Sequence, residues 1–213
     1  MFASIAGVLA VVQVLPYIRA SIRGETKPSR VASGISLTSN IVIAVSMLAA
    51  HAGAGLVLPM VFLVTGTITM VLAIKYGQTT ITKTDISNAA IALLALGADL
   101  VFGAQVGLFA MPVAQLMASV TIFNKLRHNP GTEDRLSWAL VFAACLLSVG
   151  SVLTQSGFDD GVMFATVLRF VTCSAIAGLA FIQPYQQRII GFCHQVSQQV
   201  TAIHHHGDFA LTA

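Results

Sequence analysis

Charged residues are scarce in this chain. Of its 213 residues only 9% are Asp, Glu, Lys or Arg, whereas 56% are hydrophobic. A soluble domain carries roughly 25% charged residues, so the composition excludes an ordinary soluble domain. The net charge of +3 is explained by basic loops on one side of the apolar runs. It therefore does not indicate a nucleic-acid partner.

Motifs of enzymes and metal proteins are also missing. The sequence has no nucleophile motif, no phosphate-binding loop, no His-Glu-x-x-His and no pair of carboxylates within an apolar run. We therefore predict no enzymatic activity, no cofactor and no metal site. Cys145, Cys173 and Cys193 lack disulfide or metal-ligand spacing, so free thiols are expected. For the His204–His206 tail, a solvated segment is favoured over weak metal binding.

What the chain has instead is seven apolar runs, each near the ~20 residues that a membrane-spanning helix needs. They are residues 2–17, 34–51, 56–75, 86–103, 106–124, 137–154 and 162–183. Strands of a membrane barrel would alternate apolar and polar residues, and these runs are apolar on every face. The predicted fold class is an all-α polytopic membrane protein. The first run is not read as a signal peptide, because its basic residues follow the apolar segment.

Lys and Arg occur in alternate loops. Four lie after the first run, two after the third, three after the fifth and one in the tail, and the remaining basic residue is Arg169 inside the seventh run. Basic loops are retained on the cytoplasmic side. The sequence therefore predicts a multi-pass protein of the bacterial inner membrane, with the N-terminus outside and the C-terminus in the cytoplasm. The lipid bilayer is therefore a predicted partner of this chain.

Pro16 interrupts the first run just before its basic loop. A proline cannot donate its backbone nitrogen to the helical ladder, and its ring clashes with the preceding turn. We therefore expect the first helix to kink or end here. If the helix moves during function, Pro16 is the candidate gating hinge.

A weak internal repeat links the two halves of the chain. Arg127 follows Arg23 by 104 positions, and Ser137 follows Ser33 by the same distance. Two copies of three spans that begin on the same side need an odd span between them, which gives a parallel 3+1+3 repeat. The predicted units are a first three-helix bundle at 1–76, a linker loop and fourth span at 77–105, a second bundle at 106–184 and a cytoplasmic tail at 185–213.

This arrangement resembles the PQ-loop superfamily, which includes the SWEET sugar transporters. The phrases that carry the likeness are Leu15-Pro16-Tyr17-Ile18-Arg19, Gly24-Glu25-Thr26-Lys27-Pro28-Ser29-Arg30, and Pro130-Gly131-Thr132-Glu133 followed by Trp138. The resemblance covers residues 1–184. It implies passive, alternating-access transport of a sugar-like or other small polar solute, bound near the bilayer midplane between two bundles. The second copy has Ile122-Phe123 where the first has Pro16-Tyr17.

Polar side chains inside the runs are the candidate solute contacts, because such residues usually face the bundle interior or a wet cavity. Asn40 is the strongest candidate, since its amide both donates and accepts hydrogen bonds. Gln13 and Gln115 are further candidates. For all three, the alternative is a hydrogen bond that only joins neighbouring helices.

Arg169 is the most unusual of these residues, because an isolated charge in a membrane helix costs several kcal/mol. Asp99 in the fourth run is taken to lie at a similar depth, so a structural Asp99–Arg169 ion pair is one reading. A substrate-facing Arg169 is the second reading, and an Arg169 that reaches the outer interface is the third.

Other seven-span classes fit less well. A retinal protein needs a Schiff-base lysine in the last span, and the seventh run has none. The internal repeat argues against a receptor. A non-transporting membrane scaffold or sensor on the same fold remains the alternative, and the sequence leaves a homo-oligomer open.

Overall fold

The computed structural model describes residues 1–78, 80–128, 133–154 and 159–182. These residues form eight α-helical segments and one short 3-10 turn, Gly53–Leu56, and the described part contains no β-strand. The helices are α1 Phe2–Val12, α2 Val14–Ile22, α3 Arg30–Ala49, α4 Val57–Tyr76, α5 Lys83–Phe102, α6 Ala104–His128, α7 Arg135–Leu153 and α8 Asp160–Ile182. The tail at 185–213, with Cys193 and His204–His206, lies outside the described residues.

The all-α class and the presence of seven long apolar helical segments are confirmed for the described residues. Counting α1 and α2 as one span, seven segments of 19 to 24 residues are long and apolar enough to cross a membrane. Their outward faces carry large apolar side chains, such as Val64, Leu94 and Leu100, which are 61%, 74% and 77% exposed. An apolar exterior of this kind is typical of a helix bundle that lies in lipid.

Side-chain caps extend the helices that begin near the basic loops. Ser29 Oγ accepts from the backbone N–H of Ala32, so α3 begins at Arg30 rather than at Gly34. Thr82 and Asp85 form a reciprocal capping box that starts α5. Asp134 caps α7 by accepting from the N–H of Ser137 at 2.7 Å. Each cap satisfies N–H groups that have no intrahelical acceptor.

The first span is broken at Gln13, where α1 ends and α2 begins. Pro16 cannot donate to the carbonyl of Val12 four residues earlier, which explains a break at this point. The interruption predicted from Pro16 is therefore present, three residues before the proline. The chain returns to helical geometry at once and α2 continues to Ile22.

The helices pack in a regular pattern. Within the N-terminal half, α4 packs against both α1 and α3. In the C-terminal half, α8 residues Ile176 and Ala180 cluster with Leu126 of α6 and Trp138 of α7. The halves meet where α1 packs on α7 and α3 packs on α6, and α5 lies against α6 and α3.

The two ends of the bundle differ in chemistry. The end with the loops at 23–29 and 77–82 and the segment before α7 is called the basic end. Towards the opposite end the helices are joined by an apolar plug, which we define as Ile43, Met47, Leu108, Met111 and Val162. These five side chains are at most 2% exposed and belong to one cluster. The plug is therefore a tightly packed, wholly apolar cluster within the described bundle.

Asp159 joins α8 to α6 at the opposite end. Its Oδ1 accepts from the backbone N–H groups of Gly161 and Val162, and its Oδ2 accepts from Gln105 Nε2 at 2.7 Å. The hydrogen bond from Gln105 and those from the two backbone groups lower the pKa of Asp159, against a smaller opposing effect of burial. The carboxylate is therefore the bound, stabilising form.

We expect Asp159→Ala to lower the free energy of unfolding by about 1 kcal/mol at neutral pH, the usual cost of losing an N-cap. A carboxylate with a depressed pKa stabilises the fold above its unfolded pKa of ~3.9 and loses this effect as the pH falls through its folded value. The deficit of the variant should therefore shrink below about pH 4. Thermal unfolding at pH 7 and pH 3 measures this deficit. The control is Asp160→Ala, which replaces the exposed neighbouring residue. A deficit that does not depend on pH would contradict this role.

Candidate functional site

A cavity of about 170 Å³ lies inside the bundle, walled by residues of α2, α3, α4, α6, α7 and α8 and by Gln13. It extends from Arg169 in α8 to Tyr17, Ser29, Ser137 and Trp138 near the basic end. None of the five plug residues lines it. The cavity is therefore bounded by the apolar plug on one side and reaches towards the basic end on the other.

Arg169 lies at the deep end of this cavity and is 8% exposed. Its Nη2 donates to Asn40 Oδ1 at 2.6 Å and to Gln115 Oε1 at 2.8 Å. The guanidinium carbon also lies 5.0 Å from the centre of the Phe62 ring. Three predicted site residues, from α3, α6 and α8, are thus in direct contact.

The partners of Arg169 are all neutral. Its Nη1 is buried and has no hydrogen-bond acceptor among the described residues. The ion pairs in the described part of the chain are Arg23–Glu25 and Lys125–Glu133, so no carboxylate pairs with Arg169 there. Buried donors are normally satisfied, and a charge in a membrane helix is costly unless it is paired or hydrated. A buried positive charge is therefore left uncompensated by described protein groups.

The expected Asp99–Arg169 ion pair is not formed by the described residues and is corrected. Asp99 lies instead against Gly107 and near Ser46, where a β-carbon on Gly107 would overlap its carboxylate. The two residues differ in depth. At 1.5 Å per residue, Arg169 is ~14 Å along α8 from Asp160, whereas Asp99 is only ~5 Å from the end of α5. The assumed equal depth was the error.

Gln13 lines the cavity from the break between α1 and α2, where it is buried. Its position follows from the interruption that Pro16 causes in the helical ladder. Pro16 itself is half-buried and is not among the residues that line the cavity. Pro16 therefore does not form part of the cavity wall.

The sequence reading missed Pro112. This proline lies inside α6, lines the cavity and removes the donor for the carbonyl of Leu108, a plug residue. It is a proline within the fifth run, whereas the repeat places the counterpart of Pro16-Tyr17 at Ile122-Phe123, near the cytoplasmic end of that run. Thr65 was also not selected, although it follows from the 104-residue shift of Arg169 and lines the cavity in α4.

A polar network, defined as Lys27, Lys125, Glu133 and Trp138, lies beside the cavity at the basic end. Lys125 Nζ contacts Glu133 Oε1 at 2.6 Å and donates to the Lys27 carbonyl at 2.7 Å. Trp138, which lines the cavity, donates its Nε1 to Glu133 Oε2 at 3.3 Å. The side chains of Lys125 and Glu133 are only 8% and 4% exposed. The network thus ties the α2–α3 loop, α6 and α7 together beside the cavity.

The cysteine and metal-ligand expectations can be compared with the described part of the chain. Cys145 and Cys173 are buried free thiols, as expected. Within the described ranges, no group of three or more His, Cys, Asp or Glu side chains is placed to hold a metal ion.

Comparisons of this chain with protein-family models, with curated proteins and with solved structures found no match.

Proposed function

We propose that this chain is a membrane transporter, which carries a small polar solute through the cavity by alternating access between two three-helix bundles. The observation that carries the proposal is the cavity itself, which holds an arginine without a carboxylate partner among the described residues, between an apolar plug and a polar network. A purely structural protein has no need of an uncompensated charge beside a cavity, because such a charge only costs stability.

The helix contacts support a two-bundle architecture. If α1, α3 and α4 correspond to α6, α7 and α8, an exchange of the halves turns the α1–α7 contact into the α6–α3 contact. Both contacts are present. The third helix of each half also packs against the other two. This is the pattern that a two-fold axis between bundles 1–76 and 106–184 would produce, with α5 as linker, and it accords with a PQ-loop or SWEET-like relationship.

In this proposal the basic end faces the cytoplasm, so the N-terminus lies outside the inner membrane. In a cysteine-free background, Asp160→Cys should react with a membrane-impermeant maleimide added to whole cells, whereas Arg23→Cys should not. Both positions are exposed. The reverse labelling pattern would overturn the orientation.

Uptake into proteoliposomes tests transport directly. Thr65 is buried and lines the cavity, so Thr65→Trp should fill the cavity and abolish uptake from a mixture of small labelled solutes. Thr67→Trp, two residues later on the exposed face of α4, is the matched control and should retain uptake. If the folded wild-type protein moves no solute, or if both variants behave alike, the scaffold or sensor alternative is favoured.

Two prolines are expected to act as hinges. Pro16→Ala and Pro112→Ala each restore a backbone donor, to the carbonyls of Val12 and Leu108, and so stiffen the first span and α6. Exchange should slow by about tenfold in the double variant, or about 1.4 kcal/mol on the barrier, while solute affinity changes little.

Pro59→Ala is the control for the hinges, because Pro59 lies in the first turn of α4, where N–H groups have no intrahelical acceptor. Rates are measured by counterflow and affinity by thermal shift. Unchanged exchange in a folded double variant would remove the hinge model.

A further inference from the structure

The charges that line the cavity restrict the class of solute, if the chain is the transporter proposed above. Arg169 is the one charged residue among the described residues that line it, and the rest are polar uncharged or apolar. The empty cavity therefore carries a net positive charge. In a low-dielectric interior such a charge favours a ligand of opposite sign.

The hydrogen bonds of Arg169 leave part of the guanidinium available. Both protein acceptors, Asn40 and Gln115, bind the same nitrogen, Nη2, and Nη1 has no acceptor in the described structure. The void of about 10 Å³ on the plug side of Arg169 is no larger than one water molecule. A ligand that satisfies this side chain must therefore come from the main cavity.

A monocarboxylate suits the guanidinium of Arg169 better than a phosphate or a dicarboxylate does. Guanidinium groups bind planar carboxylates through strong, charge-assisted hydrogen bonds. A phosphate or dicarboxylate brings about two negative charges, and the described cavity wall offers one positive charge. Binding of a monocarboxylate is the case that leaves no net charge in the cavity.

The volume limits the size of the anion. An apolar cavity of about 150 Å³ holds one benzene molecule, and this cavity measures about 170 Å³. A ligand of about six to eight non-hydrogen atoms therefore fits. The wall also carries the hydroxyl groups of Ser33, Ser36 and Thr65 and the amide of Gln13, which suit a hydroxyl or oxo group on the ligand.

We infer that the solute is a short hydroxy- or oxo-monocarboxylate, whose carboxylate binds Arg169 and whose second polar group binds the cavity wall. The sugar-like solutes that the family resemblance implies are disfavoured by charge, because a neutral solute would leave the charge of Arg169 unpaired. A monocarboxylate site and a sugar site predict opposite solute preferences. Binding and exchange assays with both kinds of solute therefore distinguish them.

The test uses L-lactate and its neutral isostere lactamide, with pyruvate and glucose as further probes. At pH 7, lactate and pyruvate should raise the melting temperature of the purified protein and exchange in proteoliposomes, whereas lactamide and glucose should do neither. Arg169→Gln should weaken lactate binding roughly tenfold or more, the value of a hydrogen bond to a charged group. Arg19→Gln, which removes an exposed arginine on α2, should leave binding unchanged.

The possible outcomes distinguish the carboxylate inference from the transport proposal. If wild-type protein exchanges lactamide or glucose as well as lactate, the carboxylate inference is wrong and transport stands. If lactate stabilises the protein without exchange, the anion site stands and transport falls. The lactate and lactamide comparison on wild-type protein remains decisive should Arg169→Gln not fold. Arg169→Lys, which retains the charge but not the planar fork, should then keep a weaker preference for lactate.

Discussion

Replacing Glu133 by alanine is expected to lower the free energy of unfolding by about 3 kcal/mol, the usual cost of removing one partner from a buried ion pair. The variant loses the carboxylate that Lys125 contacts at 2.6 Å and the acceptor of the Trp138 indole. Both charged side chains are at least nine-tenths buried, so water cannot replace these contacts at little cost. The measurement is reversible unfolding in mixed micelles.

The exposed ion pair Arg23–Glu25 provides the control for Glu133. Its atoms are 3.8 Å apart and its side chains are 53% and 60% exposed, so Glu25→Ala should cost less than about 1 kcal/mol. The double variant Lys125→Met with Glu133→Ala should lose less stability than the sum of the single variants, because it removes both charges together. Strictly additive losses would show that the pair is not coupled.

Replacing Gly77 by alanine is expected to cost about 3 kcal/mol, at the upper end for overpacking. A β-carbon at this position would overlap the backbone carbonyls of Ala73 and Pro28. Backbone atoms cannot rotate away as a flexible side chain does. Gly77 donates to Ala73, and Gln78 donates to Pro28 at 3.0 Å, so the segment is held from both sides at the end of α4.

A second glycine serves as the control, because its replacement by alanine is expected to raise stability rather than lower it. Gly150 lies within α7, and a β-carbon there would meet no atom within 4 Å. Gly150→Ala should raise stability by about 1 kcal/mol, because alanine is the better helix former. Equal effects of the two substitutions on thermal unfolding would contradict the steric account of Gly77.

The residues of the candidate site were predictable in part, for a reason that applies to apolar helices in general. Polar side chains are rare in apolar runs because they are costly there, so Asn40, Gln115 and Arg169 were selected without any knowledge of packing. The structure brings these three into contact. Asp99 was selected by the same rule, but its partner depended on depth and rotation, which a linear sequence does not contain.

The interactions of the loop residues were not predicted from the sequence. Charges at 125–135 were taken as a signal of sidedness, and their interactions were not considered. Glu133 nevertheless forms a buried contact with Lys125 and accepts from Trp138. Pro112 was overlooked because its importance comes from lining a cavity, and cavities are made by neighbouring helices rather than by one helix.

The sequence by itself determined the all-helical class, the seven apolar spans and the interruption of the first span, because hydrophobic length and proline chemistry are local properties. Only the tertiary structure decided which polar side chains meet, where the apolar plug lies and that no carboxylate in the described part of the chain pairs with Arg169. These features depend on the depth and rotation of each helix relative to its neighbours, and packing between helices sets both.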